Sequence, residues 1–477
     1  MRKRTATIFL FIILCSFSSY AQEKWDLRRA VDYAIANNIS VKQADLQARF
    51  SELTFKQSKM SQYPGLNFNG NAGYSAGRNQ DPTSFSLITT AYWFSNYQLQ
   101  TSVDLFNWFS KKNTVAGNSL DLQASQAQVD KIKNDISLNV AVAYLQILLA
   151  REQAGIARLQ VSQTLLQLES TRKQVDAGKL PELNAAQLES QLATDSSSLI
   201  TAEGNIQQLT LQLKALLNLD AAAPFFVDTP PVETIPLESL ADLQPEAVYA
   251  SAIANLPQQK VNELRLQAAK KAVEAARGNM FPTFSLFGSL GTAYNNRAQQ
   301  VVSKTLISPP IGLVTVSGTP YQVFPLLPFD QLSYGNISYF NQLNQNFRQS
   351  IGIGLSIPIL NGGSLRTGCD RSKLTVRQWE LTRELDNQTL KQDIYKAYTD
   401  AITALQKFNA GKKSVITSER AYNFSQKRYD LGLLSIYDLI NSQNTMLRAK
   451  IESVSAQYDY VFKMKLLEFY KGLGLKL

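Results

Sequence analysis

Between Lys111 and Ala177 the chain holds no proline, and its apolar residues recur three and four apart. Val129, Ile132, Ile136, Val140, Ala143, Ile147, Ala150 and Ala154 make one coiled-coil seam. Leu138, Val142, Leu145 and Leu149 make a second on nearly the opposite face. A helix with two opposed seams is gripped from both sides, as in a wall of helices. One helix inside an ordinary bundle gives the same local pattern. Length decides between the two. At 1.5 Å per residue, 111–177 predicts a helix of roughly 100 Å, and 364–431 a second of the same height. Shorter helices are predicted over 26–62, 182–217, 245–279 and 436–474, each about 53 to 58 Å long. Stacked in pairs, they match the long ones. The pattern therefore predicts four columns of equal height.

Between the helices the period changes to two. Leu66, Phe68, Gly70, Ala72 and Tyr74 alternate with Asn67, Asn69, Asn71, Gly73 and Ser75. Tyr97, Leu99, Thr101, Val103 and Leu105 alternate with Gln98, Gln100, Ser102 and Asp104. Later, Phe284, Leu286, Leu290 and Tyr294 share a face, as do Ile351, Ile353, Leu355 and Ile357. Strands are predicted at about 66–75, 97–106, 283–294 and 347–358. One apolar and one small or polar face over about ten residues is the transmembrane β-strand pattern. A soluble, half-buried hairpin alternates in the same way.

These elements come in the same order twice. Ala36-Asn37-Asn38-Ile39-Ser40 reads against Ile253-Ala254-Asn255-Leu256-Pro257, and Tyr63-Pro64 against Phe281-Pro282. Leu105-Phe106-Asn107 matches Ile359-Leu360-Asn361, and Val175-Asp176-Ala177-Gly178 matches Tyr429-Asp430-Leu431-Gly432. A first repeat over 22–217 and a second over 245–477 are joined by a proline-rich linker at 218–244, placed at the waist. The shift between copies grows from 218 to 254, so about 36 residues are added in the middle of the second. They fall in 297–344, which reads as a long exterior loop.

Composition narrows the compartment. Residues 1–21 carry Arg2-Lys3-Arg4, an apolar run and Ser19-Tyr20-Ala21, so they read as a signal peptide cut near Ala21-Gln22. Lipid attachment at Cys15 is disfavoured by the bulky Leu14 before it. No later stretch of about 18 apolar residues follows, so a membrane can be crossed only as a closed β-barrel. Four strands cannot close one, because known barrels start at about eight. Three chains would supply twelve strands and twelve columns. The net charge of +10 comes without a nucleic-acid docking motif. Pairs such as Lys111-Lys112 read as solvated helix faces, as do the scattered carboxylates. With no histidine, one cysteine outside the leader and no phosphate loop, the residues speak against an enzyme and offer no cofactor or metal site.

On these features the chain resembles the TolC-type outer membrane efflux proteins. The duplicated helix–hairpin–long helix–helix plan carries the resemblance. So do Arg428-Tyr429-Asp430-Leu431-Gly432-Leu433-Leu434-Ser435-Ile436-Tyr437-Asp438-Leu439-Ile440 and Pro358-Ile359-Leu360-Asn361-Gly362-Gly363. The resemblance implies a mainly α fold with a small β part, long coiled-coil hairpins forming a periplasmic α-barrel, and a homotrimer whose strands make a twelve-stranded barrel in outer membrane lipid. It implies an exit duct fed by a periplasmic adaptor and an inner-membrane transporter, resistance-nodulation or ATP-driven in type, with small molecules or polypeptides as cargo. The tunnel mouth would lie at the hairpin tips Gly178, Lys179, Leu180, Pro181 and Gly432, Leu433, Leu434, Ser435. Asp438 falls where the family often places an acidic ring, and Asn184 stands at the equivalent place in the first copy. Tyr429 matches an aromatic of a closing network whose basic partner would fall at Leu434. Asn441 stands where a second acid sometimes occurs. Three Asp438 carboxylates on an axis would attract cations; one alone is an acid favoured by a helix N-terminus. The alternative function is a secreted coiled-coil scaffold or adhesin without a pore.

Overall fold

The computed structural model describes residues 24–81 and 85–472; the expected leader and Cys15 lie outside them. The chain divides into two compact units, one including 119–269 and 375–472, the other 54–118 and 270–374. Helices α1 (Leu27–Asn37), α2 (Ile39–Met60), α3 (Ser110–Asp176) and α4 (Glu182–Leu217) carry the first copy. Helices α5 (Pro245–Asn255), α6 (Pro257–Gly278), α8 (Ser364–Asp430) and α9 (Ile436–Tyr470) carry the second, and a short helix, α7 (Tyr339–Gln345), precedes its last strand. None of the described helices is long and apolar enough to cross a membrane.

Two stretches read as single helices are each broken. In place of 26–62 the chain extends at Asn38, with φ −61° and ψ 134°. The Asn38 side chain accepts from the Ser40 N–H at 2.8 Å, which starts α2. Its amide also donates to the Leu216 carbonyl at 2.8 Å, satisfying a group freed at the end of α4. In place of 245–279 the break is at Leu256, where Pro257 disfavours helical backbone in the residue before it and then suits the first turn of α6. The breaks are 218 residues apart and receive the same bond. The Asn38 N–H donates to Ala34 O at 2.8 Å, and the Leu256 N–H to Ala252 O at 2.9 Å.

The cores repeat as well. Ala34, Val140, Ala143 and Leu213 are buried in one cluster, and Ala252, Ile394, Ala397 and Leu467, their counterparts, in another. The first seam of α3 is closed, with Val140 and Ile147 fully buried. Leu138, Val142 and Leu149 of the second seam stay half-exposed. The 218–244 linker is tied down by polar contacts. The Tyr144 hydroxyl donates to the carbonyls of Trp25 and Asp228 at 3.1 and 2.7 Å. Burial, then the Asp228 carboxylate, pushes that phenol well above its ordinary value. Lys465 and Glu468 form a buried ion pair at 2.8 Å. Lys465 donates to Pro236 O at 2.6 Å, and Glu468 accepts the Glu238 N–H at 3.0 Å, so neither charge is left unpaired.

The other unit holds an antiparallel sheet of β1 (Gly65–Gln80), β2 (Leu87–Phe106), β3 (Thr283–Asn295) and β8 (Arg348–Ser356), in that order. The strands differ from 66–75, 97–106, 283–294 and 347–358, mainly because β1 runs on past the apolar alternation to Gln80 and β2 begins before it at Leu87. Register gathers the apolar residues on one face. Phe68 faces Leu99, Leu99 faces Leu290, and Leu286 faces Ile353. The other face pairs Asn67 with Gln100, and Ser289 with Ser350, whose hydroxyls lie 2.8 Å apart. Aromatic rings flank the sheet at both ends. Trp93 packs against Tyr74 at 5.2 Å, and Phe106 against Trp108 at 5.3 Å. From Trp93 to Phe106 a strand tilted about 40° rises roughly 33 Å, enough for an apolar band of about 25 Å and its aromatic rims.

The region 297–344 is not a structureless loop. It holds a ribbon of β4 (Gln299–Ile307) and β7 (Phe329–Asn336), a second of β5 (Gly312–Val316) and β6 (Thr319–Val323), and α7. Lys111 also departs from the expected solvated face. It pairs with Asp104 at 2.8 Å and donates to Ser61 O at 2.9 Å.

Candidate functional site

The two long hairpins reverse by the same device. At the end of α3, the Gly178 N–H donates to Val175 O at 2.8 Å and the Lys179 N–H to Gln174 O at 2.9 Å. At the end of α8, the Gly432 N–H donates to Tyr429 O and the Leu433 N–H to Arg428 O, both at 2.8 Å. Each pair closes a helix through a left-handed glycine, with φ of +73° and +74°. The returning helices start differently. Pro181 precedes α4 without a side-chain cap. Ser435 caps α9 by accepting the Asp438 N–H at 3.2 Å, and its hydroxyl donates back to the Asp438 carboxylate at 2.7 Å. Asp438 is thus an exposed first-turn acid inside a capping motif.

The structure brings the two tips together. Leu168, Ala185 and Leu188 of the first hairpin share one buried cluster with Tyr429, Ile436 and Leu439 of the second. Leu180 and Leu434 pack against its edge, so Leu434 has an apolar role where a basic residue would have made an ion pair. The Tyr429 ring is buried and its hydroxyl meets Thr171 Oγ1 at 3.2 Å. Beside it, Gln426 donates to Gln167 at 3.2 Å and to Asp430 at 3.0 Å, and Tyr422 donates to Gln426 at 3.2 Å. Burial, then Asp430, raises the Tyr422 phenol above its ordinary value. Asn184 is half-buried at the start of α4, and its N–H donates to Pro181 O at 3.1 Å. Asn441, Leu433, Pro181, Gly178 and Lys179 are exposed.

Sequence reasoning missed a second polar layer. Asp195 is buried, although the carboxylates read as solvated. It accepts from Thr164 at 2.6 Å and from Gln191 at 2.8 Å. Gln191 also reaches Asn444 on α9 at 3.4 Å, linking the hairpins. The signal was present: Ala185, Leu188, Leu192 and Asp195 follow a three-four-three spacing, so Asp195 occupies a seam position.

Duplicated hairpins of this length, with a four-stranded sheet that is apolar on one face, define an outer membrane channel subunit. The chain belongs to the outer membrane efflux protein family, whose model matches residues 30–219 and 248–468 and so both copies. It is 22% identical over 487 residues to the outer membrane protein TolC of Escherichia coli K12, covering 99% of this chain and 86% of that one. It is 22% identical over 365 residues to the outer membrane efflux protein BepC of Brucella suis biovar 1, covering 76% and 69%. A solved structure of CusC, a transmembrane channel, superposes with a TM-score of 0.75 at 17% identity, covering 96% of each chain. The fold is accordingly an α-barrel type with a β domain, and the outer membrane is its location.

Proposed function

We propose that three copies of this chain form the exit duct of a tripartite efflux or export system. The unfinished sheet carries the reading. Among the described residues, β1 pairs only with β2 and β8 only with β3. In lipid, unpaired strand edges cost several kcal/mol per backbone group, so the apolar sheet must close on itself. Four strands are too few and three sisters bring twelve. A periplasmic adaptor and an inner-membrane pump would engage the hairpin tips, and the duct itself works without catalysis.

At the mouth, the resting state holds the second hairpin against the first through the Tyr429–Thr171 and Gln426–Gln167 contacts. Opening parts them. Three Asp438 carboxylates would face the axis and favour cations, each still held by its own cap. Outer membranes containing the chain should yield a heat-modifiable trimer that forms discrete channels in planar bilayers and co-purifies with an adaptor. An oligomer soluble without detergent would instead make it a scaffold.

A further inference from the structure

The second copy joins its barrel strands through the β4–β7 ribbon, whereas in the first copy only residues 81–86 separate Gln80 of β1 from Leu87 of β2. The ribbon therefore occurs once per chain and three times per duct. From Thr305 to Phe329 it has no charged residue. Leu326 is fully exposed, Leu327 76% and Leu313 71%. A patch of this kind marks an interface, and a lone two-stranded ribbon is marginally stable in water.

Its base is fixed. The Gln342 side chain accepts the Asn295 N–H at 2.9 Å and donates to Asn295 O at 2.8 Å. Asn346 donates to Ala293 O at 2.7 Å, and Arg297 to Ala91 O at 3.3 Å. The route outward is occupied. Helix α7 lies over the apolar face of the sheet where the ribbon starts, with Tyr339 meeting the Tyr97 hydroxyl at 3.0 Å and Leu343 O accepting from Thr292 at 2.6 Å. The ribbon cannot fold down over the lipid-facing surface there.

We propose that the three Thr305–Phe329 ribbons meet over the exterior opening of the barrel, each covering the apolar face of the next, and so form an outer closure distinct from the periplasmic tips. The occupant of each face is a second copy, because the ribbon is inserted between β3 and β8 and leads through α7 into β8, whose other edge has no partner among the described residues and is the seam to the neighbouring subunit in the proposed duct. Reach is sufficient. Twelve strands about 4.8 Å apart and tilted about 40° enclose a radius of about 12 Å, while the nine residues of β4 extend about 30 Å. The inference rests on the trimeric duct.

The test places single cysteines, Leu313→Cys or Leu326→Cys, in a Cys369→Ala background and oxidises them in outer membranes. Native mass is measured in parallel. Covalent dimers on denaturing gels are expected. Replacing Gly312–Val323 by Gly-Gly should raise single-channel conductance at least twofold. A three-chain particle without cross-links at either position, and with unchanged conductance after the replacement, overturns the closure and leaves the duct standing. Quenching of a fluorophore at position 326 by brominated lipid assigns the face to lipid and also overturns it. A one-chain particle removes the duct as well.

Discussion

Replacing Tyr429 by phenylalanine tests the mouth with one atom. The ring stays in its cluster with Leu168, Leu188 and Leu439, and only the hydroxyl bonded to Thr171 is lost. A neutral hydrogen bond contributes about 1 kcal/mol net. Thr171 loses little more, because a helical threonine can turn its hydroxyl to the carbonyl one turn back. If three subunits open together, the loss is about 3 kcal/mol, roughly a 100-fold shift in the closed-to-open ratio at 1.4 kcal/mol per decade. Tyr429→Ala also removes the buried ring and should cost about 3 to 5 kcal/mol per subunit. In planar bilayers, Tyr429→Phe should raise the time spent in the larger-conductance state while the trimer keeps its heat resistance. Tyr429→Ala should exceed it. If both variants, as intact trimers, gate like the parent, the contact is not broken on opening and the proposed latch is wrong.

Asp438→Gln keeps a capping partner for Ser435 and removes the charge, so cation selectivity and divalent block should fall while the thermal transition holds; unchanged selectivity disposes of an acidic ring. Gly432→Ala forces a left-handed backbone on a residue with a Cβ, at about 1 to 2 kcal/mol, and should lower the temperature at which trimers separate; Gly178→Ala should match it, since the bonds are the same. Burial, then Asp393, pushes the Tyr470 phenol up to about 12. Below pH 10 it is neutral folded and unfolded, so stability is unaffected there. Between pH 10 and about 12 only the unfolded chain ionises, so stability is lost as pH rises. Urea midpoints of Tyr470→Phe should fall less steeply across that window, and parallel curves would refute the assignment.

The fold class was legible because period and length are collective signals. A seam of eight apolar residues in α3 outvotes any single exception, and alternation over ten residues places a whole strand face at once. Joints were not legible in the same way. Asn38 ends a helix through two side-chain bonds, one to Leu216, 178 positions away. Pro257 did announce the break at Leu256, but the run of good helix formers around it reads as continuous. Asp195 shows the limit from the other side. Its spacing put it in a seam, yet a carboxylate is stable there only because Thr164 and Gln191 donate to it, and partners on other turns cannot be read from a linear pattern. The ribbon at 299–336 was passed over because its prolines dominate the composition, although valines at 301, 302, 314, 316 and 323 supply its strand character.

The distribution of charge among the four long helices bears on how the proposed mouth would open. Arg158 pairs with Glu203, and Arg172 with Glu189, each joining α3 to α4. Lys450 pairs with Glu419 at 2.7 Å and Lys463 with Asp400 at 2.9 Å, each joining α8 to α9. These ion pairs clip each hairpin to itself. The polar links described between hairpins are neutral: Tyr429 with Thr171, Gln426 with Gln167, Gln191 with Asn444, and Gln153 with Ser455. A neutral amide or hydroxyl that leaves such a bond finds water at a net cost of about 1 kcal/mol. Exposed ion pairs are worth no more singly, about 0 to 1 kcal/mol, but they keep opposite charges in register along the hairpin. On the proposed opening, each hairpin would move as one body. The seam between them is a row of exchangeable bonds over a small apolar cluster, which on that proposal would part at the tip while the buried cores around Val140 and Ile394 stay closed.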